Sequence, residues 1–156
     1  MARILFVCTG NTCRSPMAEA ILKHMNLPGV EVRSAGVFAM DGSGASANAR
    51  KVLDEQKIPH SHRASSLTKE LTEWATHILT MTTAHKQAVI DMFPEAGRKT
   101  FTLKEFAGAE QNLDISDPFG GPVEVYRATY NEIQENIKKI AAKLQEPEDK
   151  TKPDKD

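Results

Sequence analysis

The sequence predicts an α/β fold of three layers, a central four-stranded parallel sheet with helices on both faces. Two observations carry this. Short apolar runs alternate with segments of helical periodicity along the chain, and such alternation builds parallel sheets covered on both sides. The first apolar run, Ile4-Leu5-Phe6-Val7, ends at a cysteine and a short polar turn, and a helical pattern follows at once.

Each element has its own signal. Residues 2–8 (ARILFVC) read as a buried strand. Residues 16–26 read as a helix, with Pro16 suited to a first helical position and Met17, Ile21, Leu22 and Met25 on one face. Residues 30–35 alternate as a second strand, which Gly36 breaks. Ser46 can cap a helix over about 47–57, and Thr68 one that runs through Trp74, a residue expected in the core. A third strand covers 76–81, a helix 83–92 ends before Pro94, and a fourth strand covers 99–103. The stretch DISDPFGGP is loop. Residues 122–145 form a long amphipathic helix whose apolar face carries Val125, Thr129, Ile133, Ile137, Ile140 and Leu144. One domain is expected over residues 1–146, and the charged stretch 147–156, free of apolar residues, is expected to be disordered.

Composition excludes several classes. The chain has 156 residues, 40% apolar and 26% charged, with a net charge of -1, which gives no reason to expect nucleic acid or an anionic membrane as partner. No apolar run approaches a membrane span and no secretory signal pattern opens the chain. Two cysteines do not make a disulfide scaffold, so the cytoplasm is the expected compartment and a monomer the expected state.

In sheets of this kind ligands bind beyond the carboxyl ends of the strands. The segment Cys8-Thr9-Gly10-Asn11-Thr12-Cys13-Arg14 lies at such an end, with the form C-x5-R. A loop between strand and helix can turn its N–H groups inward as an anion nest, and the helix N-terminus adds partial positive charge. Gly10 and Asn11 suit the unusual backbone angles this needs. Arg14 can add a bidentate fork to a phosphate-like anion. A Cys8 thiolate beneath a bound phosphate is a nucleophile aimed at phosphorus. The bland alternative is a buried thiol beside a surface cation. The strand-to-helix context, the glycine and the Ser-Pro after Arg14 favour the site. No Walker A or dinucleotide fingerprint fits, and no cysteine or carboxylate cluster beside His60 and His62 suggests a metal.

VCTGNTCRSPMAEA resembles the signature of the low-molecular-weight protein tyrosine phosphatase family, and the similarity continues through RSAG at 33–36, SHRA at 61–64 and DPFGG at 117–121. Within that family the chain most resembles the bacterial protein arginine phosphatases. The resemblance implies a metal-independent, cofactor-free enzyme. Cys8 would form a cysteinyl-phosphate, Arg14 and the amides of Thr9, Gly10, Asn11, Thr12 and Cys13 would hold the phosphoryl group, and Ser15 would hydrogen-bond the thiolate. Asp117 would be general acid and then base. Asp114 ranks below it because no proline follows. Asn11 would hold the loop through Ser34 and His62, and Cys13 could trap an oxidised Cys8 as a disulfide.

The expected substrate is a protein carrying phosphoarginine. Tyrosine-specific members resemble each other in a bulky aliphatic residue at the position of Thr12 and in aromatics after the Asp-Pro. Here Thr12 is small and hydroxylated, and Phe119 precedes Gly120-Gly121, so one aromatic is expected at the pocket. A hydroxyl and a carboxylate suit a guanidinium, whose N–H groups need acceptors. Phosphotyrosine is the alternative. The arsenate reductases that share C-x5-R relay electrons through further cysteines, and none follows Cys13 here. A non-catalytic phosphate-binding module would usually lack Cys8 or Asp117. His24, His77 and His85 are expected at the surface, without a role.

Overall fold

The computed structural model describes residues 1–145. The expected tail, 147–156, lies outside the described residues. Four parallel strands form one sheet in the order β2-β1-β3-β4: β1 Ala2–Cys8, β2 Val30–Gly36, β3 His77–Thr80 and β4 Thr100–Thr102. β1 lies between β2 and β3, so its apolar run is covered from all sides. Ile4, Phe6 and Cys8 face one core cluster, and Leu5 and Val7 face the other, as the two-residue repeat of a strand requires.

Helices cover both faces. The larger cluster packs the Ile4–Phe6 face against α1 (Arg14–His24), α2 (Ala47–Glu55) and α6 (Val123–Leu144). The smaller one packs Leu5 and Val7 near α3 (Lys69–Trp74) and α4 (Thr83–Met92). A 3-10 turn at Pro94–Lys99 and a short α5 at Leu103–Phe106 flank β4. No helix among the described residues is long and apolar enough to cross a membrane.

Hydroxyl caps start most of the helices. Ser46, Thr68 and Thr82 accept from Ala49, Leu71 and His85 N–H, and Thr102 makes a capping box with Glu105.

Four expectations are corrected. α1 begins at Arg14, not Pro16, because the first turn leaves its N–H groups unbonded and tolerates proline inside it. That places Arg14 and Ser15 on the helix N-terminus. On α6 the buried stripe enters through Tyr126 (3% exposed) and Tyr130, while Val125 is 41% exposed. Trp74 is half-buried, with the Arg33 guanidinium 4.5 Å over its ring. Gly36 does not break β2 but ends it, paired with Cys8.

Register brings the strand ends together. Cys8 pairs with Gly36, Val7 with Thr80, and Thr80 with Thr102. The carboxyl edge of the sheet therefore gathers the segments after β1, β2, β3 and β4 in one place.

Candidate active site

The loop from Thr9 to Cys13 turns directly off β1 into α1. Asn11 sits at φ 56°, in the left-handed region, where asparagine is better tolerated than most residues. The N–H groups of Gly10, Asn11, Thr12 and Cys13 donate to no backbone carbonyl among the described residues. With the N-terminus of α1 behind it, such a loop offers a nest of donors for an anion.

Gly36 lets this loop close. A side chain there would place Cβ 2.4 Å from Thr9 O and 2.9 Å from Asn11 N. Phe38 N–H donates to Thr9 O and Val37 N–H to Cys8 O, so the segment after β2 walls the loop.

Under the loop, Cys8 is buried and its Sγ lies 2.8 Å from Ser15 Oγ. Asn11 is fully buried. Its Nδ2 donates to Ser15 Oγ at 2.8 Å and to Ser34 Oγ at 2.9 Å, and its Oδ1 accepts from Ser65 N–H at 2.9 Å. His62 Nε2 donates to the Asn11 carbonyl at 2.6 Å, and its Nδ1 lies 3.3 Å from Glu19 Oε1. Ser34 Oγ donates to the same Glu19 oxygen at 2.6 Å, and Lys23 Nζ to the other at 2.7 Å. Burial alone would raise the Glu19 carboxyl, but the hydrogen bonds from His62, Lys23 and Ser34 outweigh it and bring it down to about 2. The structure thus joins Asn11, Ser15, Ser34 and His62 in one network. Glu19, which the sequence did not single out, anchors it.

Arg14, also buried, links the loop to the Asp-Pro segment. Its Nη1 donates to the Ile115 carbonyl at 2.9 Å, and its Nη2 lies 3.6 Å from Asp117 Oδ2. The Asp117 carboxyl is more than half exposed and accepts from Phe119 N–H at 3.0 Å. Asp114 is engaged elsewhere, accepting from Thr83 N–H at the start of α4. Ser116 N–H donates to Glu132, and Ile115 N–H donates to the Met81 carbonyl. The segment before Asp117 is therefore fastened to α4, α6 and the residue that follows β3, and Asp117 itself lies beside Arg14 with its carboxyl open to solvent. Gly120 at φ 78° turns the chain back toward α6.

Two features went unread in the sequence. His85, expected at the surface, is 6% exposed, with Nε2 2.8 Å from Thr9 Oγ1. Burial first, and then the nearby Arg14 charge, lower its pKa to about 4, against the opposing pull of Asp117 and Asp114. Thr82 in the sequence was the available signal: it caps α4 just after β3, which fixes His85 in the first turn at the carboxyl edge of the sheet. The second feature is Phe38. It is 85% exposed beside Thr9, so two exposed aromatics rather than one lie at this edge, Phe38 and the 78% exposed Phe119.

Thr12 is half-buried with its Oγ1 3.8 Å from Cys13 Sγ. The Cys13 sulfur lies 3.5 Å from Ser46 Oγ and 3.4 Å from Tyr126 OH. No group of three or more His, Cys, Asp or Glu side chains among the described residues is placed to hold a metal ion.

Comparison with known proteins adds a family. The sequence pattern described as low molecular weight phosphotyrosine protein phosphatase matches residues 3–150. A protein-arginine-phosphatase of Geobacillus stearothermophilus is 59% identical over 143 residues, 92% of this chain and 96% of that protein. The solved structure of the YwlE arginine phosphatase from Geobacillus stearothermophilus superposes with a TM-score of 0.91 at 58% identity, covering 93% of this chain and 94% of that one. A YwlE arginine phosphatase mutant, with its active-site cysteine replaced by serine and that serine phosphorylated, superposes with a TM-score of 0.89 at 43% identity. It covers 94% of this chain and 97% of that one.

Proposed function

The chain belongs to the low molecular weight phosphotyrosine protein phosphatase family, and we propose that it is a protein arginine phosphatase that hydrolyses phosphoarginine through a cysteinyl-phosphate. The observation that carries the chemistry is the convergence of Cys8, Arg14 and Asp117 on one loop, with Arg14 Nη2 3.6 Å from Asp117 Oδ2. The substrate reading is supported by the identity to a protein-arginine-phosphatase and by Thr12 and Gly120-Gly121.

The reaction divides into two displacements. The Cys8 thiolate attacks phosphorus held by the loop N–H groups and Arg14. An S–P bond forms as the N–P bond breaks, and Asp117 gives its proton to the departing guanidine nitrogen. Free arginine side chain leaves. Asp117, now a carboxylate, takes a proton from water, which attacks phosphorus as the S–P bond breaks. Ser15 hydrogen-bonds the departing sulfur. Phosphate is released, and Cys8 returns as thiolate. Arg14 and the amides meet the charge that spreads over the equatorial oxygens in both steps.

The guanidinium is larger, flatter and richer in donors than a phenyl ring. Thr12 offers a hydroxyl where a bulky aliphatic group would offer only steric bulk, and the carbonyl oxygen of the protonated Asp117 carboxyl offers an acceptor. Phe38 and Phe119 can stack on either group, so they do not discriminate.

We place the activity in the cytoplasm, where both thiols stay reduced, and in a monomer acting on arginine-phosphorylated proteins. Peroxide would oxidise Cys8 to the sulfenic acid, and the Cys13 thiol would condense with it to a disulfide, releasing water. Cys13 must first leave Tyr126 and Ser46 for this. Thiol reductant should restore peroxide-treated wild-type enzyme, and restoration that is equal in Cys13→Ala would remove Cys13 from the scheme.

The deciding experiment compares kcat/KM on one peptide carrying phosphoarginine or phosphotyrosine, with and without Thr12→Ile. Preference for phosphoarginine that the substitution erodes is the expected result. Preference for phosphotyrosine in the unmodified enzyme would overturn the substrate reading and leave the two displacements standing.

A further inference from the structure

We propose that His85 is a positioning residue for the anion site: its neutral imidazole donates to Thr9 Oγ1 and so turns the Thr9 hydroxyl proton toward the phosphoryl group held in the loop. The inference rests on the phosphatase reading above and adds to it a side-chain donor, the Thr9 hydroxyl, at a position that the C-x5-R pattern leaves unspecified.

Geometry fixes the direction of the bond. Nε2 and Thr9 Oγ1 are 2.8 Å apart, and either can donate. The other ring nitrogen, Nδ1, is buried and has no hydrogen-bond partner among the described residues. If Thr9 donated to Nε2, the proton of the neutral ring would sit on Nδ1 as a buried orphan N–H. If Nε2 donates, Nδ1 keeps only a lone pair. Orphan buried donors are the rarer of the two. The imidazolium is worse than either, since it adds the same orphan N–H and a positive charge beside Arg14. The charged groups that bear on the ring are Arg14 from α1 and Asp117 and Asp114 from the acid loop. Burial and Arg14 outweigh the two carboxylates and keep the ring neutral above about pH 4.

Position does the rest. His85 is in the first turn of α4, its backbone N–H tied to Thr82 Oγ1 at 3.0 Å, so the ring is anchored at the carboxyl edge of the sheet. Thr9 is the first residue of the nest and is exposed. Its hydroxyl oxygen is occupied by the histidine N–H. Its proton is then left to point toward an oxygen of an anion held in the loop. His85 therefore acts on the reaction through Thr9 and not by contact with the reacting atoms.

The test reads inorganic phosphate as the probe. Its inhibition constant against p-nitrophenyl phosphate hydrolysis is measured for wild type, His85→Phe, His85→Gln, Thr9→Val and the His85→Phe/Thr9→Val pair. Loss of one charge-assisted hydrogen bond should raise the constant by about tenfold in His85→Phe and in Thr9→Val. The pair should show no more than either alone, because His85 acts only through the Thr9 hydroxyl. His85→Gln, which carries an N–H near the position of Nε2, should recover most of the loss. An unchanged constant in His85→Phe, or fully additive losses in the pair, would overturn the inference. The tautomer of wild-type His85, read from its ring nitrogen chemical shifts between pH 5.5 and 8, gives an answer that needs no variant. The Nε2–H form supports the bond direction, and the Nδ1–H form or the imidazolium overturns it. Preference for phosphotyrosine over phosphoarginine peptides would sink the substrate reading and leave this readout untouched.

Discussion

Ser15 Oγ lies 2.8 Å from Cys8 Sγ and accepts from Asn11 Nδ2 at the same distance. The second contact orients the first. With its oxygen engaged by the Asn11 amide, Ser15 can give its own proton only to the sulfur. That bond is strongest when the sulfur carries charge, which happens as the S–P bond of the proposed intermediate breaks.

Ser15→Ala should therefore slow the second displacement more than the first. A hydrogen bond to a charged group contributes about 1.5–3 kcal/mol, which corresponds to roughly 10–100-fold in rate. Rapid-mixing kinetics should show a burst of released product followed by slow turnover. Steady-state kinetics with no burst would mean that Ser15 serves folding only.

Gly36 is placed against backbone, not against flexible side chains. In Gly36→Ala the methyl group would meet Thr9 O at 2.4 Å and Asn11 N at 2.9 Å, and neither can swing aside. Overpacking of this kind costs about 1–3 kcal/mol. For a domain of this size that lowers the melting temperature by roughly 3–10 °C. The loop must also open, so kcat/KM should fall with the melting temperature. A variant with wild-type melting temperature and activity would show that β2 yields at no cost.

Two aspartates near the loop divide their work. Asp117 lies beside Arg14, and Asp114 caps the start of α4. Asp117→Asn should lower kcat by about 10²–10⁴-fold, most for substrates whose leaving group needs a proton. Asp114→Asn should lower the melting temperature and change kcat far less. The reverse pattern, read from kcat against leaving-group basicity, would move the acid role to Asp114.

The sheet and the loop were legible because their signals are local. A buried strand, a glycine, an arginine and a Ser-Pro lie within a few residues of one another, and a parallel sheet sends such segments to one edge. What failed to show was set by packing between distant segments. The Thr82 cap marks His85 as a first-turn residue but not its partner, since Thr9 is 76 residues away. Tyr126 lies on the buried face in helical period with Tyr130, Ile133, Ile137 and Ile140, and Val125, one position earlier, is turned outward. Glu19 was hidden in a good helix-forming stretch, and only the fold brings His62 and Ser34 to it.

Acid weakens the fold through two groups in succession, the buried His85 and the half-buried Glu19. His85 takes a proton near pH 6.5 in the unfolded chain but only near pH 4 in the folded one, since burial and Arg14 oppose its charge. Its folded pKa is depressed, so the unfolded state binds the proton first. Stability falls as pH drops from about 6.5 to 4, by about 3 kcal/mol. Glu19 continues the trend. Burial would raise its carboxyl, yet His62, Lys23 and Ser34 hold it near 2 against an ordinary value of 4.5. The unfolded chain again protonates first, and about 3 kcal/mol more is lost as pH falls from 4.5 to 2. Urea midpoints measured from pH 8 to pH 3 should decline through both windows. His85→Gln should flatten the upper limb, and Glu19→Gln should lower stability at neutral pH and flatten the lower one. An upper limb that keeps its slope in His85→Gln would mean that the ring is not held neutral in the fold, and the acid sensitivity would then belong to another group.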